Sequence, residues 1–127
     1  MELKDYFANT SGYAILATGD SAGVVDLALY SRPHFMDDGG IAFIMADRLT
    51  HYNLQSNPHA AYMFIEAGGG YKGKRLILTK TGESSEKALI DDTRKKSGYT
   101  DREYGDELKY LVFFRIDRVL PLTGESE

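Results

Sequence analysis

The sequence predicts a mainly β protein of the α+β kind, in which six strands form an antiparallel sheet closed into a barrel with short flanking helices. Three observations carry this. Six apolar or alternating runs of strand length follow one another along 127 residues, most of them joined by short Gly-, Pro- and Asp-bearing connections. A parallel sheet would need a helical crossover between successive strands, and only two candidate crossovers exist. Turn sequences such as Gly19-Asp20-Ser21-Ala22-Gly23 and Gly68-Gly69-Gly70 stand where hairpins would place them.

Leu3, Tyr6 and Phe7 recur at helical spacing, so a short amphipathic helix opens the chain and ends before Ser11-Gly12. Tyr13 to Thr18 reads as a strand. After the turn at 19–23, Val24 to Tyr30 sets Val25, Leu27 and Leu29 on one face and Val24, Asp26, Ala28 and Tyr30 on the other, which completes a hairpin. Arg32-Pro33 interrupts that strand, because proline lacks a backbone donor, and His34-Phe35-Met36 resumes it up to the Asp37-Asp38-Gly39-Gly40 turn. Ile41 to Met45 is the third strand.

There the apolar run stops and a short polar helix begins, in Asp47-Arg48-Leu49-Thr50-His51-Tyr52-Asn53-Leu54-Gln55-Ser56. Pro58 ends it, leaving about nine residues and about 13 Å of helix. Two readings are open. The first turn of a helix leaves backbone N–H groups unpaired at the positive end of its dipole, so with Asp47 as cap, Arg48, Thr50 and His51 would add donors for an anion such as a phosphate group. The bland alternative is a plain strand-to-helix connection with a solvated arginine.

Ala60 to Glu66 and Lys74 to Thr81 are the fourth and fifth strands, with Gly73 as a candidate bulge. Residues 84–96 are helix-prone, with Ser84 or Ser85 as cap and Gly98 as stop, and with a thin apolar side of Ala88, Leu89 and Ile90 that suits the surface. The polar stretch 98–106 reads as a loop, and Leu108 to Leu122 as the closing strand.

Length fits one domain, residues 1–127. Hydrophobic content of 43% with 27% charged residues suits a globular chain, and no apolar run nears the roughly 20 residues that cross a bilayer. No cysteine is present, which removes disulfides, thiolate ligands and a thiol nucleophile; with a charged beginning that resembles no secretory signal, a cytoplasmic location is expected. A net charge of −4 argues against nucleic acid as a partner. The basic run Arg94-Lys95-Lys96 suits a helix C-terminus, where cations offset the dipole. His34, His51 and His59 lack metal-ligand spacing, and no nucleophile elbow, Walker loop or Rossmann fingerprint occurs.

The order of elements, with Tyr30-Ser31-Arg32-Pro33, the segment Asp47 to Leu54 and Asn57-Pro58-His59-Ala60, closely resembles the pyridoxamine 5′-phosphate oxidase-like FMN-binding split barrels over about Leu3 to Leu122. That resemblance implies a six-stranded antiparallel split β-barrel, a homodimer, and FMN in a groove between subunits. It places Arg48, Thr50 and His51 near the flavin phosphate, Tyr30, Ser31 and Arg32 beside the ring system and ribityl chain, and Met45, Ala46 and Asp47 at the end of the third strand next to it. Tyr104 and Tyr110 fall in the region that supplies the partner's wall. FMN is the implied cofactor, with haem, FAD or a deazaflavin as alternatives, and a small-molecule redox substrate is implied with it.

One departure matters. Many relatives carry a lysine where this chain has Thr50, so phosphate charge would fall to Arg48, with Arg32 as a second donor. The chain is also expected to be too short for the C-terminal substrate segment of true pyridoxamine phosphate oxidases, and that substrate is not carried over. A flavin would itself perform hydride or electron transfer, so no separate catalytic side chain is required. His34 and His51 are candidate proton donors, and a non-catalytic flavin or haem carrier is the alternative function.

Overall fold

The computed structural model describes residues 2–97 and 108–124. Its elements run α1 (Leu3–Asn9), β1 (Gly12–Gly19), β2 (Val25–Tyr30), β3 (His34–Phe35), β4 (Ile41–Ala46), α2 (Leu49–Ser56), β5 (His59–Glu66), β6 (Gly73–Ser84), α3 (Lys87–Ser97) and β7 (Lys109–Pro121). All seven strands belong to one sheet in the order β2-β1-β5-β6-β7-β4-β3, and every pairing is antiparallel.

The strand count corrects the expectation of six. His34–Phe35 does not resume β2; it pairs instead with β4, His34 opposite Ala42. Ser31, Arg32 and Pro33 therefore carry the chain from one margin of the sheet to the other. Proline cannot donate to a ladder, so the break at Pro33 is where a strand leaves one neighbour and finds another. The sheet curls but stays open, with β2 and β3 as its two edges.

The core follows from alternation. Leu16, Tyr62, Phe64, Leu76, Leu78 and Phe114 point inward with Phe43 and Met45, and Phe7 of α1 plugs the cluster. Phe7 meets Phe64 edge-on at 5.1 Å, and Phe43 meets Phe114 the same way at 5.8 Å, a favoured geometry for ring quadrupoles. β4 is buried along its whole length because its second face is covered too: Ala42 and Ile44 pack with Leu111 and Ile90 of α3.

Arg32 fastens α1. Its Nη1 donates to the carbonyls of Phe7 (3.0 Å) and Thr10 (3.4 Å), so a cation from elsewhere in the chain sits at the negative end of a helix with no basic residue in its own last turn. Gly73 is no bulge. It starts β6 so close to β5 that a Cβ there would lie 2.0 Å from the Phe64 carbonyl oxygen, and the register shifts fall further along, at Ile77/Leu78 and Lys80/Gly82. Just ahead of α3, the hydroxyl of Ser84, the last residue of β6, accepts from the Glu86 amide at 3.2 Å. Gly98, the stretch 98–106 and Tyr104 lie outside the described residues. Among the described residues no helix is long and apolar enough to cross a membrane.

Candidate functional site

The turn from β4 into α2 is built by local chemistry. Arg48 occupies the N-cap position with extended backbone, and its side chain makes no cap hydrogen bond. Asp47, expected to cap, turns its carboxylate to the His51 ring instead, Oδ1 to Nδ1 at 3.0 Å. Among the described residues no side chain accepts from the amides of the first turn, which is the condition for an anion to be welcome there.

The far end of α2 is pinned by the asparagines that made its sequence distinctive. The Asn53 amide, buried, donates to the Thr18 hydroxyl at 3.1 Å, and Leu54 enters the core. Asn57 accepts from the His59 amide at 3.0 Å, which starts β5. These contacts set α2 against β1 and beside β2.

A groove of about 250 Å³ opens between β2 and the start of α2. Asp26, Leu27, Ala28, Leu29 and Tyr30 form one wall, and Ala46, Arg48, Leu49 and Thr50 the other. One wall therefore carries a cation, a hydroxyl and an uncapped helix start, while aliphatic side chains and an aromatic ring face it. The strand wall has a further property: Val25, Leu27 and Leu29 are 79%, 68% and 75% exposed, although β2 is an edge strand. Its half-buried face is Asp26, Ala28 and Tyr30, with Tyr30 edge-on to Phe43 at 5.8 Å.

Four of the nine residues expected at the ligand line this groove: Tyr30, Ala46, Arg48 and Thr50. Met45 is fully buried in the core cluster. Ser31 offers its carbonyl to the Tyr62 hydroxyl at 2.9 Å, and Arg32 reaches α1 as described. Asp47 and His51 form a network adjoining the groove. The buried His51 ring has Nδ1 on Asp47, Nε2 3.1 Å from both Glu83 oxygens, and its face stacked on Tyr110 at 3.8 Å and 12°. Lys80 donates to Glu83 at 2.7 Å and Gln55 does so at 3.0 Å. Burial alone would raise the Glu83 carboxyl, but hydrogen bonds from Lys80, Gln55 and His51 outweigh it and bring it down to about 2.

Sequence reasoning missed Asp26, Leu27, Ala28, Leu29 and Leu49 in the groove, and Lys80 and Glu83 behind it. The period-two alternation of β2 was a usable signal for Asp26, since it shares a face with Tyr30. Nothing local pointed to Glu83, which is 32 positions from His51. Among the described residues His34 is buried with Nδ1 against the Ser97 hydroxyl, His59 is exposed, and no acidic or histidine cluster could hold a metal ion. A second cavity of similar size, bounded by Lys4, Phe7, Phe35 and Leu89, contains none of the residues expected at a ligand.

The sequence matches no protein-family model and no curated protein. Solved structures do match. HupZ of Group A Streptococcus is similar at 19% identity and a TM-score of 0.71, over 98% of this chain and 94% of that one. An FMN-binding protein from Syntrophomonas wolfei matches at 19% and 0.71, covering 95% and 84%. An F420 reductase matches at 14% and 0.67, covering 94% and 97%. Structures described as putative pyridoxamine 5′-phosphate oxidases share the same architecture. The seven-stranded open sheet of this chain is thus the split-barrel fold of the pyridoxamine 5′-phosphate oxidase-like proteins.

Proposed function

We propose that the protein is an FMN-binding oxidoreductase of the cytoplasm, a single domain over residues 1–127 that works as a homodimer on a small-molecule redox substrate. The observation that carries this reading is the composition of the groove. Arg48, Thr50 and the uncapped start of α2 suit a phosphate dianion, while Tyr30, Leu27, Leu29 and Ala46 suit the ring system of a flavin.

Size supports a shared site. About 250 Å³ lies below the roughly 300–1,000 Å³ of common small-molecule sites, so one chain would cover only part of a flavin. The exposed ridge of Val25, Leu27 and Leu29 on an unpaired edge supplies apolar surface of the kind that a second copy would cover. Bound there, FMN supplies hydride or electron transfer. The chain's part is to hold the phosphate through Arg48 and Thr50, to seat the ring against β2 and to exclude water from it through the second copy.

A carrier that binds flavin or haem without turnover is the competing reading. FAD and a deazaflavin fit the same wall chemistry. Absorption spectra of the purified protein and titration with FMN are expected to show a bound flavin; a Soret band would favour haem, and a colourless protein that ignores FMN would defeat the proposal. Turnover with reduced nicotinamide nucleotide and an electron acceptor separates the enzyme from the carrier.

A further inference from the structure

We propose that Asp26 is a specificity-determining residue of the groove, whose carboxylate accepts hydrogen bonds from the hydroxyl groups of a ligand's polyol chain. This rests on reading the groove as a flavin site, and it makes the chain that joins ring to phosphate a second point of recognition.

The strand itself sets Asp26 apart. It is the one charged residue of β2, in the run Val-Asp-Leu-Ala-Leu-Tyr, and aspartate is a poor strand former. It stands opposite Thr18, a buried residue whose hydroxyl accepts from the Asn53 amide. Cross-strand partners share a face, so the carboxylate lies on the side of the sheet against which α2 packs. It is half-buried, lines the groove, and forms no hydrogen bond or ion pair with a described residue. Such a carboxylate is left to take donors from whatever fills the groove.

Which donors those are follows from what else faces the groove. Arg48, Thr50 and the start of α2 suit an anion, and a carboxylate in contact with that anion would repel it, so Asp26 does not serve the phosphate. Tyr30, packed edge-on against Phe43, lies on the same face of β2 four residues along, about 13 Å away. Ala28 stands between them with a single methyl group, which leaves room for a chain. A ring system seated near Tyr30 thus turns its hydroxylated tail to Asp26. Two acceptor oxygens and no donor match neighbouring hydroxyls, in the way that acidic residues take the ribose hydroxyl in dinucleotide sites. A charge on the inner face of an edge strand has one other use, to block strand-to-strand association, and that use would leave ligand preference untouched.

Fluorescence titrations with FMN, riboflavin and lumiflavin test this, the last having a methyl group where riboflavin has its ribityl chain. The protein is expected to bind riboflavin more tightly than lumiflavin. Asp26→Ala is expected to cut that advantage by about tenfold while leaving the lumiflavin Kd within about twofold. FMN should lose less than riboflavin in the same variant, because removing the carboxylate also removes its repulsion of the phosphate. Asp26→Asn keeps one acceptor oxygen and loses the charge, so it should cut the advantage by about threefold, and it carries the test if urea unfolding shows that the alanine variant is not folded. No riboflavin advantage in the unaltered protein, or the same advantage in the folded variants, overturns the proposal; if those variants also self-associate, Asp26 guards the strand edge instead. Failure of all three flavins to bind the unaltered protein defeats the flavin reading and the contact with it, whereas binding with an unchanged riboflavin-to-lumiflavin ratio defeats the contact alone.

Discussion

Arg48 and Arg32 show how two arginines with similar sequence credentials come to different work. Arg48 stands at the uncapped start of α2 in the groove wall, whereas Arg32 donates to the carbonyls of Phe7 and Thr10. Arg48→Ala is expected to weaken FMN by about 1.5–3 kcal/mol, the worth of a charged hydrogen bond, read by fluorescence titration. Arg32→Ala is expected to lower the urea midpoint as α1 loosens, read by urea denaturation. Glu83 makes an acid prediction. Its folded carboxyl titrates at about 2 against an ordinary 4.5, so its stabilising contribution is present above pH 4.5 and is lost as the pH falls from there towards 2. Urea curves at descending pH should show this loss, and Glu83→Gln should flatten it. At this scale the sequence announced donors, because Arg, Thr and His beside a helix start are visible locally. It did not announce which of them were already engaged, because the partners of His51 and Arg32 sit 32 and 25 positions away.

The elements themselves were legible where hydrogen bonding is local. The amphipathic spacing of α1, the turn at Asp20, whose carboxylate accepts from the amides of Ala22 and Val24, and the proline that closes α2 all act within a few residues. β3 was not legible as a separate strand, because His34-Phe35 has strand propensity whichever neighbour it joins, and its pairing with β4 is a property of the sheet. Gly73 was visible as an oddity but was assigned to the wrong cause; the close approach of β5 requires it. Gly73→Ala would place a Cβ 2.0 Å from the Phe64 carbonyl oxygen, so it is expected to cost about 1–3 kcal/mol of stability as the strands shift apart, measurable by urea unfolding.

The molecule as a whole presents an open groove beside an exposed apolar edge, and both follow from the strand order that puts β2 at the margin of the sheet. Replacing Leu27 and Leu29 together by aspartate is expected to convert a dimer to a monomer, read by sedimentation, and to weaken FMN at least about tenfold if the second copy closes the site. A monomer that still holds FMN at full affinity would show that one chain suffices. The alternation of β2 was plain in the sequence, yet it did not say that the more apolar of its two faces is the exposed one.

By itself the sequence determined most of the segments that become strands and helices, that neighbours run antiparallel, and which helix start carries Arg48, Thr50 and His51, since spacing, turns and helix ends act over a few residues. The tertiary structure alone decided that Pro33 sends the chain to the opposite edge of the sheet, that Glu83 and Lys80 come to stand behind His51, and that Val25, Leu27 and Leu29 face outward. Those outcomes depend on strand order and register, which bring together residues whose local sequence carries no mark of one another.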